Sequence, residues 1–122
     1  MRALLLAALC VISTPLFADS LVGTYGVTGF DPSTGEPYQG KAEIKGEGDI
    51  YHITWNLPQE KEVYIGTGIR QGDKISVVFI EQRSPQDAGV QIYTINNDGT
   101  LSGKWVKLGK NKKGAETLKR LE

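Results

Sequence analysis

The sequence predicts an all-β fold, an antiparallel up-and-down meander of about eight short strands that closes into a small barrel. Four tyrosines, Tyr25, Tyr38, Tyr51 and Tyr64, lie thirteen residues apart, which is the length of one strand with its turn. Segments of turn composition separate these tyrosines, and apolar and polar residues alternate between the turns. Closure leaves no unpaired strand edge, so a barrel is favoured over the alternative, a two-sheet β-sandwich.

The turns are recognised by their residue types. Gly and Asn tolerate a positive φ, Pro fixes φ at a turn value, and Asp hydrogen-bonds its own backbone. The pair Asp98 and Gly99 is the strongest hairpin signal among them. In chain order, the segments of turn composition are residues 31–37, 46–49, 57–60, 70–73, 84–87, 96–99 and 109–114.

The segments between the turns alternate with period two, as half-buried strands do. Residues 75–80 are more continuously apolar, as expected of a central strand. Residues 115–122 are too short to be a stable isolated helix and are predicted to be the last strand. The alternating segments are residues 38–45, 51–55, 63–69, 90–95 and 101–106.

Glycines within the candidate strands favour the barrel over the sandwich. A glycine inside a strand weakens it and usually marks a bulge, tight coiling or a close approach of backbone. Small, strongly curved barrels need such positions. The glycines concerned are Gly23, Gly26, Gly29, Gly40, Gly66, Gly68 and Gly103.

Residues 1–18 are predicted to be a secretory signal peptide. Arg2 gives a positive start, residues 3–12 form an unbroken apolar run, and the small residue Ala18 precedes the expected cleavage site. The apolar run is about half of the ~20 residues that a membrane-spanning helix needs. The sequence therefore predicts one all-β domain over residues 19–122.

Composition and charge exclude several classes of function. The chain has 14 Lys and Arg residues against 14 Asp and Glu residues, which argues against a nucleic-acid-binding protein. Its one cysteine, Cys10, lies in the leader, and its one histidine, His52, argues against a His-rich metal site or a Ser-His triad. We therefore predict no catalytic residue, cofactor, metal or membrane span. We expect a monomeric, periplasmic or secreted bacterial protein.

Glycine and aromatic motifs along the chain resemble a family of small exported bacterial proteins with Gly/aromatic-repeat β structure, some of which carry a fibronectin-binding label. The resemblance spans nearly all of the predicted domain and implies architecture more than activity. It brings no catalytic residue to this sequence. The motifs are residues 23–25, 35–40, 50–55, 66–69, 98–105 and 114–118.

A looser resemblance is to the calycin barrels, which include lipocalins, fatty-acid-binding proteins and avidins. In those proteins a Gly-x-Trp motif on the first strand packs near a basic residue of the last strand. Here Tyr25 stands in place of the Trp, and Arg120 is the corresponding basic residue. The resemblance implies a barrel and suggests a carrier of a small apolar ligand as one function.

The large aromatic residues are the first candidate site. Such rings stack on ligands or anchor protein partners, but they also bury the most area per residue as core packing. Both interpretations are open at this point, and core packing is the commoner one. The candidate ligand-binding residues are Tyr25, Tyr38, Trp55, Tyr64 and Trp105.

The end of the chain is basic and forms the second candidate site. From residue 101 onward there are seven Lys and Arg residues and two Glu residues. Such an asymmetry can attract an anionic partner, although a Lys-rich turn is usually only solvated. The candidate partner-binding patch consists of Lys107, Lys110, Lys112 and Lys113.

Two further groups of residues carry weaker signals. His52 lies opposite the face formed by Tyr51, Ile53 and Trp55, so we expect it to point outward if that face is core. Carboxylates pair in space for acid-base catalysis in hydrolases, but no local pattern marks such a pair here. The carboxylates considered are Glu43, Glu47, Asp49, Glu60 and Glu62.

Three functions are therefore compared. The leading hypothesis is an exported, non-catalytic binding module that adheres to a protein or another macromolecule, and it requires aromatic and lysine residues clustered on one exposed patch. The alternative is a calycin-type carrier of a small apolar ligand, which requires a continuous cavity of roughly 300 Å³ or more. The third is a small hydrolase, which requires two carboxyl groups that converge in a cleft.

Overall fold

Eight strands, joined in the order of the sequence, form one closed antiparallel barrel. A computed structural model describes residues 21–121, so the predicted signal peptide, residues 1–18, lies outside the described residues. The predicted meander is confirmed, and the barrel rather than the sandwich is its form. The strands are β1 (Gly23–Asp31), β2 (Glu36–Glu47), β3 (Ile50–Leu57), β4 (Glu62–Gln71), β5 (Lys74–Glu81), β6 (Ser84–Ile95), β7 (Leu101–Lys107) and β8 (Gly114–Arg120).

The barrel closes through pairing of its first and last strands. β1 pairs with β8 from Tyr25 opposite Arg120 to Phe30 opposite Ala115, and every other strand pairs with its sequence neighbours. The hairpin predicted at Asp98 and Gly99 joins β6 to β7, and Gly99 has a φ of 90° there. No helix of the described chain is long and apolar enough to cross a lipid bilayer.

Alternation along each strand puts one face into the core, as predicted. In β3 the buried residues are Tyr51, Ile53, Trp55 and Leu57. In β4 the inward positions include Gly66 and Gly68, and a Cβ on Gly66 would lie 2.9 Å from the Trp55 ring. Small residues on β4 therefore leave room for the large rings of the neighbouring strand.

The aliphatic residues of β4 point outward because the tyrosine and glycine positions occupy its inner face. Ile69 is 63% exposed, and Ile65 is also exposed. On β5, Val78 is also exposed, and the register places it opposite Val90 on β6, which is exposed as well. An apolar strip therefore runs across the outside of β4, β5 and β6.

One end of the barrel is closed by its terminal strands. The Tyr25 hydroxyl donates a hydrogen bond to the carbonyl oxygen of Leu21 at 2.8 Å, and Arg120 Nη2 donates to the Tyr25 hydroxyl at 3.0 Å. The Arg120 guanidinium lies 4.9 Å from the centre of the Tyr25 ring, and its Nη1 donates to the carbonyl of Val22 at 2.9 Å. The expected contact between Tyr25 and Arg120 is present and seals this end.

Glu81 is a buried acid with a structural role. It lies where the pairing of β5 with β6 shifts register, and its carboxylate accepts hydrogen bonds from the backbone amides of Val63, Arg83 and Ser84 at 3.2, 2.9 and 2.9 Å. The carboxylate thus satisfies amides that the irregular pairing leaves without a strand partner.

Candidate functional site

A cavity of about 260 Å³ opens at the end of the barrel opposite Tyr25 and Arg120. The β1–β2 and β3–β4 connections border it, because antiparallel strands bring alternate connections to the same end. Its lining divides into three parts by chemistry. These are an aromatic wall of Tyr38, Trp55, Tyr64, Phe79 and Trp105, a polar floor of Gln91 and Glu116, and an acidic mouth of Asp31, Glu36, Glu60 and Glu62.

The aromatic wall is built from edge-to-face contacts. Ring centres are 6.3 Å apart for Tyr38 and Trp105, 6.1 Å for Trp55 and Phe79, and 6.4 Å for Phe79 and Trp105. Tyr64 meets Phe79 at 5.7 Å. Such contacts fix the orientation of the rings, so the wall is preorganised.

Glycines on the neighbouring strands position the floor. Glu116 on β8 faces inward and is 6% exposed, and its cross-strand partners are Gly29 on β1 and Gly103 on β7. A Cβ on Gly29 would lie 2.1 Å from Tyr38 Cζ, and a Cβ on Gly103 would lie 2.8 Å from Tyr93 Cε1. The two glycines thus let a tyrosine ring approach the carboxylate from each side.

Three side-chain donors converge on the Glu116 carboxylate. The Tyr38 hydroxyl donates to Oε1 at 2.8 Å, and Trp55 Nε1 donates to Oε2 at 3.1 Å. The Tyr93 hydroxyl also donates to Oε2. Trp105 Nε1 supports the network by donating to the Tyr38 hydroxyl at 2.9 Å. Hydrogen bonds to an ionised acceptor are shorter and stronger than neutral ones, so this network favours the charged form.

Burial acts in the opposite direction and is the larger effect. It raises the pKa of Glu116, while the hydrogen bonds from Tyr93, Tyr38 and Trp55 lower it by less. Burial, followed by the nearby Glu116 charge, also raises the pKa of Tyr38 and Tyr93 well above the ordinary tyrosine value. The floor therefore holds a carboxyl group that resists ionisation until something offsets its charge.

Gln91 leaves the floor with an unfilled acceptor. It lies on β6 beside the cavity and is 3% exposed. Its Oε1 is buried and has no hydrogen-bond partner in the part of the chain that the structure describes. Because most buried polar atoms in proteins have a partner, an unfilled acceptor here needs a donor from outside the chain.

Charge at the mouth is mainly negative. Among the described residues, Lys107 supplies the cation on the lining, and its ammonium group lies 2.7 Å from Asp87 Oδ1 and donates to the Tyr64 hydroxyl at 2.9 Å. The Tyr64 hydroxyl in turn donates to Asp87 at 2.8 Å. Burial raises the pKa of Glu62, Lys107 lowers it, and nearby carboxylates, including Glu60, raise it further. The mouth thus crowds carboxylates around a cation that is already paired.

Four of the five predicted ligand-binding residues line this one cavity. The cavity is lined by the side chains of Tyr38, Trp55, Tyr64 and Trp105, although the first and last of these residues are 67 positions apart in the sequence. Tyr25 is fully buried at the closed end and is not part of the lining. Four of the predicted aromatic residues therefore share one site, whereas Tyr25 makes a separate packing contact at the other end of the barrel.

Sequence reasoning did not identify Phe79, Gln91 or Glu116 as site residues. The alternation in β8 carried a signal, because Gly114, Glu116 and Leu118 share one face and that face is the core. The glycine neighbours that admit the tyrosine rings belong to strands far away in the sequence. No local pattern could show them.

The predicted basic patch is divided. Lys107 reaches the cavity, whereas Lys110, Lys112 and Lys113 are exposed in the β7–β8 connection and are absent from the lining. This connection lies at the open end of the barrel, so the three lysines stand outside the mouth.

The weaker candidates are placed as follows. His52 points outward, as expected, and its Nδ1 lies 3.1 Å from Thr67 Oγ1. Glu60 and Glu62 line the cavity, whereas the other carboxylates considered, Glu43, Glu47 and Asp49, are exposed away from it. Over residues 21–121, no group of three or more His, Cys, Asp or Glu residues is arranged to hold a metal ion.

Comparison with known proteins gives the fold. No family model and no curated protein matches the chain. A redesigned β-barrel is 16% identical with a TM-score of 0.74, and the match covers 86% of this chain and 95% of that one. A second redesigned barrel, solved bound to DFHBI, is 16% identical with a TM-score of 0.70 over 84% of this chain and 97% of its own. A de novo designed fluorescence-activating β-barrel is 12% identical with a TM-score of 0.65, and the match covers 85% of this chain and 96% of that one.

Proposed function

We propose that this protein is a non-catalytic binding barrel that holds a small molecule against the aromatic wall. The observation that carries the proposal is the cavity of about 260 Å³, whose lining combines five aromatic rings with a few inward polar groups. Small-molecule sites have this composition, an apolar lining with a small number of placed polar groups.

The direction of the aromatic side chains supports a ligand inside the barrel. Tyr38, Trp55 and Trp105 are buried inside the barrel, so these rings are available to a ligand in the cavity and not to a macromolecule on the outside. The cavity is slightly smaller than the roughly 300 Å³ expected for an apolar carrier, and its floor is polar. The ligand we propose is therefore about the size of one or two rings and carries a polar group.

The designed barrels support this proposal by analogy of architecture. One of them was solved bound to DFHBI, and it has the same fold over 84% of this chain. A barrel of this size can therefore enclose a ligand. The chemistry of the ligand for this protein has to come from its own side chains.

A cavity-filling variant tests the proposal. Leu57 is buried at the end of β3 and lines the cavity, so Leu57→Trp is expected to occupy part of it and to weaken binding of the neutral fluorescent ketone prodan at least about tenfold. Binding would be measured from the blue shift of prodan emission. Ile65→Trp adds the same ring on the outer face and is expected to leave prodan affinity unchanged.

Circular dichroism would show that both variants keep the barrel, since a larger core residue can destabilise by about 1–3 kcal/mol. Equal prodan affinity for Leu57→Trp and wild type, or no blue shift with wild type, would contradict a ligand in this cavity.

Export and adhesion remain predictions that complete the proposal. The predicted signal peptide would deliver the barrel to the periplasm or the outside of a bacterial cell. Adhesion to a macromolecular partner would use the outside of the barrel, where the apolar strip across β4, β5 and β6 includes Val78 and Ile92. This strip is the observation that favours the second function.

A further inference from the structure

We infer that the cavity selects an organic cation, a protonated amine carried on a single apolar ring, over neutral and anionic molecules of the same size. The inference rests on the proposed function and specifies its ligand. Three independent features point to it, namely the acceptors of the polar floor, the donors of the aromatic wall and the charge of the acidic mouth.

The polar floor offers hydrogen-bond acceptors. Each carboxylate oxygen accepts about two hydrogen bonds. Oε2 of Glu116 receives donors from Trp55 and Tyr93, Oε1 receives one from Tyr38, and a hydrogen bond from the Gln91 side chain also lowers the pKa of this carboxyl group. Oε1 of Gln91 is entirely free among the described residues. A ligand that fills this position must donate a hydrogen bond, and an ammonium group has up to three N–H donors.

The donors around the cavity are already engaged, which disfavours an anion. Trp105 donates to Tyr38, and Tyr64 donates to Asp87. Trp55 donates to both Tyr93 and Glu116. An anionic ligand would have to break these hydrogen bonds or take Lys107 from Asp87. The rings themselves attract a cation through the negative potential of their faces, most strongly for indole.

The acidic mouth adds long-range attraction for a cation. Asp31, Glu36, Glu60 and Glu62 lie on the lining, and Lys107, the one cation that residues 21–121 contribute to it, is paired with Asp87. A cleft lined by one sign of charge concentrates ions of the opposite sign. The lysines of the β7–β8 connection lie outside the lining and oppose this attraction, and salt screens them as it screens the exposed carboxylates Glu36 and Glu60.

The raised pKa of Glu116 makes the selection depend on pH. Tyr38 and Tyr93 are the titratable groups in contact with it, and both stay neutral across the acidic and neutral range because their own pKa values are raised. The mouth carboxylates and the Lys107–Asp87 pair are the other charged groups of the lining. A bound ammonium stabilises the ionised carboxylate, so amine affinity is expected to rise with pH as Glu116 ionises more easily.

Three matched probes test the inference: 2-phenylethylamine, 2-phenylethanol and phenylacetate. They share the ring and differ in charge, and their affinities for the whole domain would be measured at pH 7.5 by calorimetry. The amine is expected to bind at least about tenfold more tightly than the alcohol, since a hydrogen bond to a charged group is worth about 1.5–3 kcal/mol. Phenylacetate is expected to bind most weakly.

Glu116→Gln is expected to reduce the ratio of amine affinity to alcohol affinity to about one. Glu43→Gln makes the same change on the exposed face of β2 and should keep the selectivity. Should Glu116→Gln unfold, the ratio of amine to alcohol affinity in wild type between pH 5 and 8 serves as the second measurement, and a rising ratio is expected.

The outcomes separate the two proposals. Cation selection would be overturned by equal affinities for the amine and the alcohol, by tighter binding of phenylacetate, or by an amine-to-alcohol ratio that does not change with pH. In each of these cases, binding of prodan would still support the cavity as a ligand site. Prodan binding without binding of any of the three probes would also overturn cation selection. Failure of prodan to bind would overturn the proposed function itself.

Discussion

Replacing Glu116 by leucine is expected to lower the free energy of unfolding by about 2 kcal/mol or more. The substitution leaves the hydroxyl donors of Tyr38 and Tyr93 inside the barrel without their acceptor, whereas Trp55 Nε1 keeps the Tyr93 hydroxyl as its acceptor. Each buried donor that loses its partner costs about 1–3 kcal/mol. Leucine also removes the cost of burying a carboxylate, but this relief does not offset two buried hydroxyl donors that are left without an acceptor. Because a domain of this size is stable by only about 5–15 kcal/mol, urea unfolding followed by tryptophan fluorescence would show the loss clearly.

Two further variants tie this loss to the network. Glu116→Gln keeps a carbonyl acceptor and should cost much less than leucine. Tyr38→Phe should cost less in the Glu116→Leu background than in wild type, because the Tyr38 hydroxyl has already lost its acceptor there, while its contact with Trp105 is lost in both backgrounds. Additive losses in the double variant, or a leucine variant as stable as wild type, would show that the network does not stabilise the fold.

The free energy of unfolding of the wild-type protein is expected to fall, relative to that of Glu116→Gln, as pH rises. Burial raises the folded-state pKa of Glu116 above its ordinary value of 4.5, so the folded protein binds this proton more tightly than the unfolded chain does. The stabilisation that this tighter proton binding gives the folded protein is fully present below pH 4.5 and is lost as pH rises through the folded-state pKa of Glu116. The glutamine variant has no such proton. Glu62 has a raised pKa for similar reasons but is common to both proteins and cancels in the comparison.

Urea unfolding of both proteins at several pH values from 4.5 to 8 would measure this difference. We expect the stability of wild type minus that of Glu116→Gln to decrease steadily over the lower part of the range. A difference that stays constant would mean that Glu116 has the same pKa folded and unfolded.

The number and order of the strands could be predicted because they depend on local chemistry. Turn residues such as Asp98 and Gly99 set the hairpins, and period-two alternation set the inward face of β2 and β3. β4 is different because both of its faces contain residues that could be buried, and Ile69 is the more apolar choice over Gly68. Packing inside the barrel places glycine inward to make room for neighbouring rings, and this depends on the other strands.

The candidate site could be predicted only in part. Large aromatic residues are few, so four of the lining rings were selected on composition alone. The same reasoning selected Tyr25, because position along the sequence does not tell which end of the barrel a ring occupies. Glu116 was missed because its environment comes from Gly29, Tyr38 and Tyr93, which lie on three different strands. A buried acid of this kind is a property of the closed barrel.

The most direct test of the whole account is the titration of the Glu116 carboxyl group by carbon NMR. Protein labelled at the glutamate carboxyl carbon would be titrated alone, with 2-phenylethylamine and with 2-phenylethanol, and the Glu116 signal would be assigned by its absence from Glu116→Gln. We predict a pKa above the ordinary value in the free protein, a decrease when the amine binds, and no change with the alcohol. A Glu116 signal that titrates like a solvent-exposed glutamate and does not respond to the amine would contradict the account.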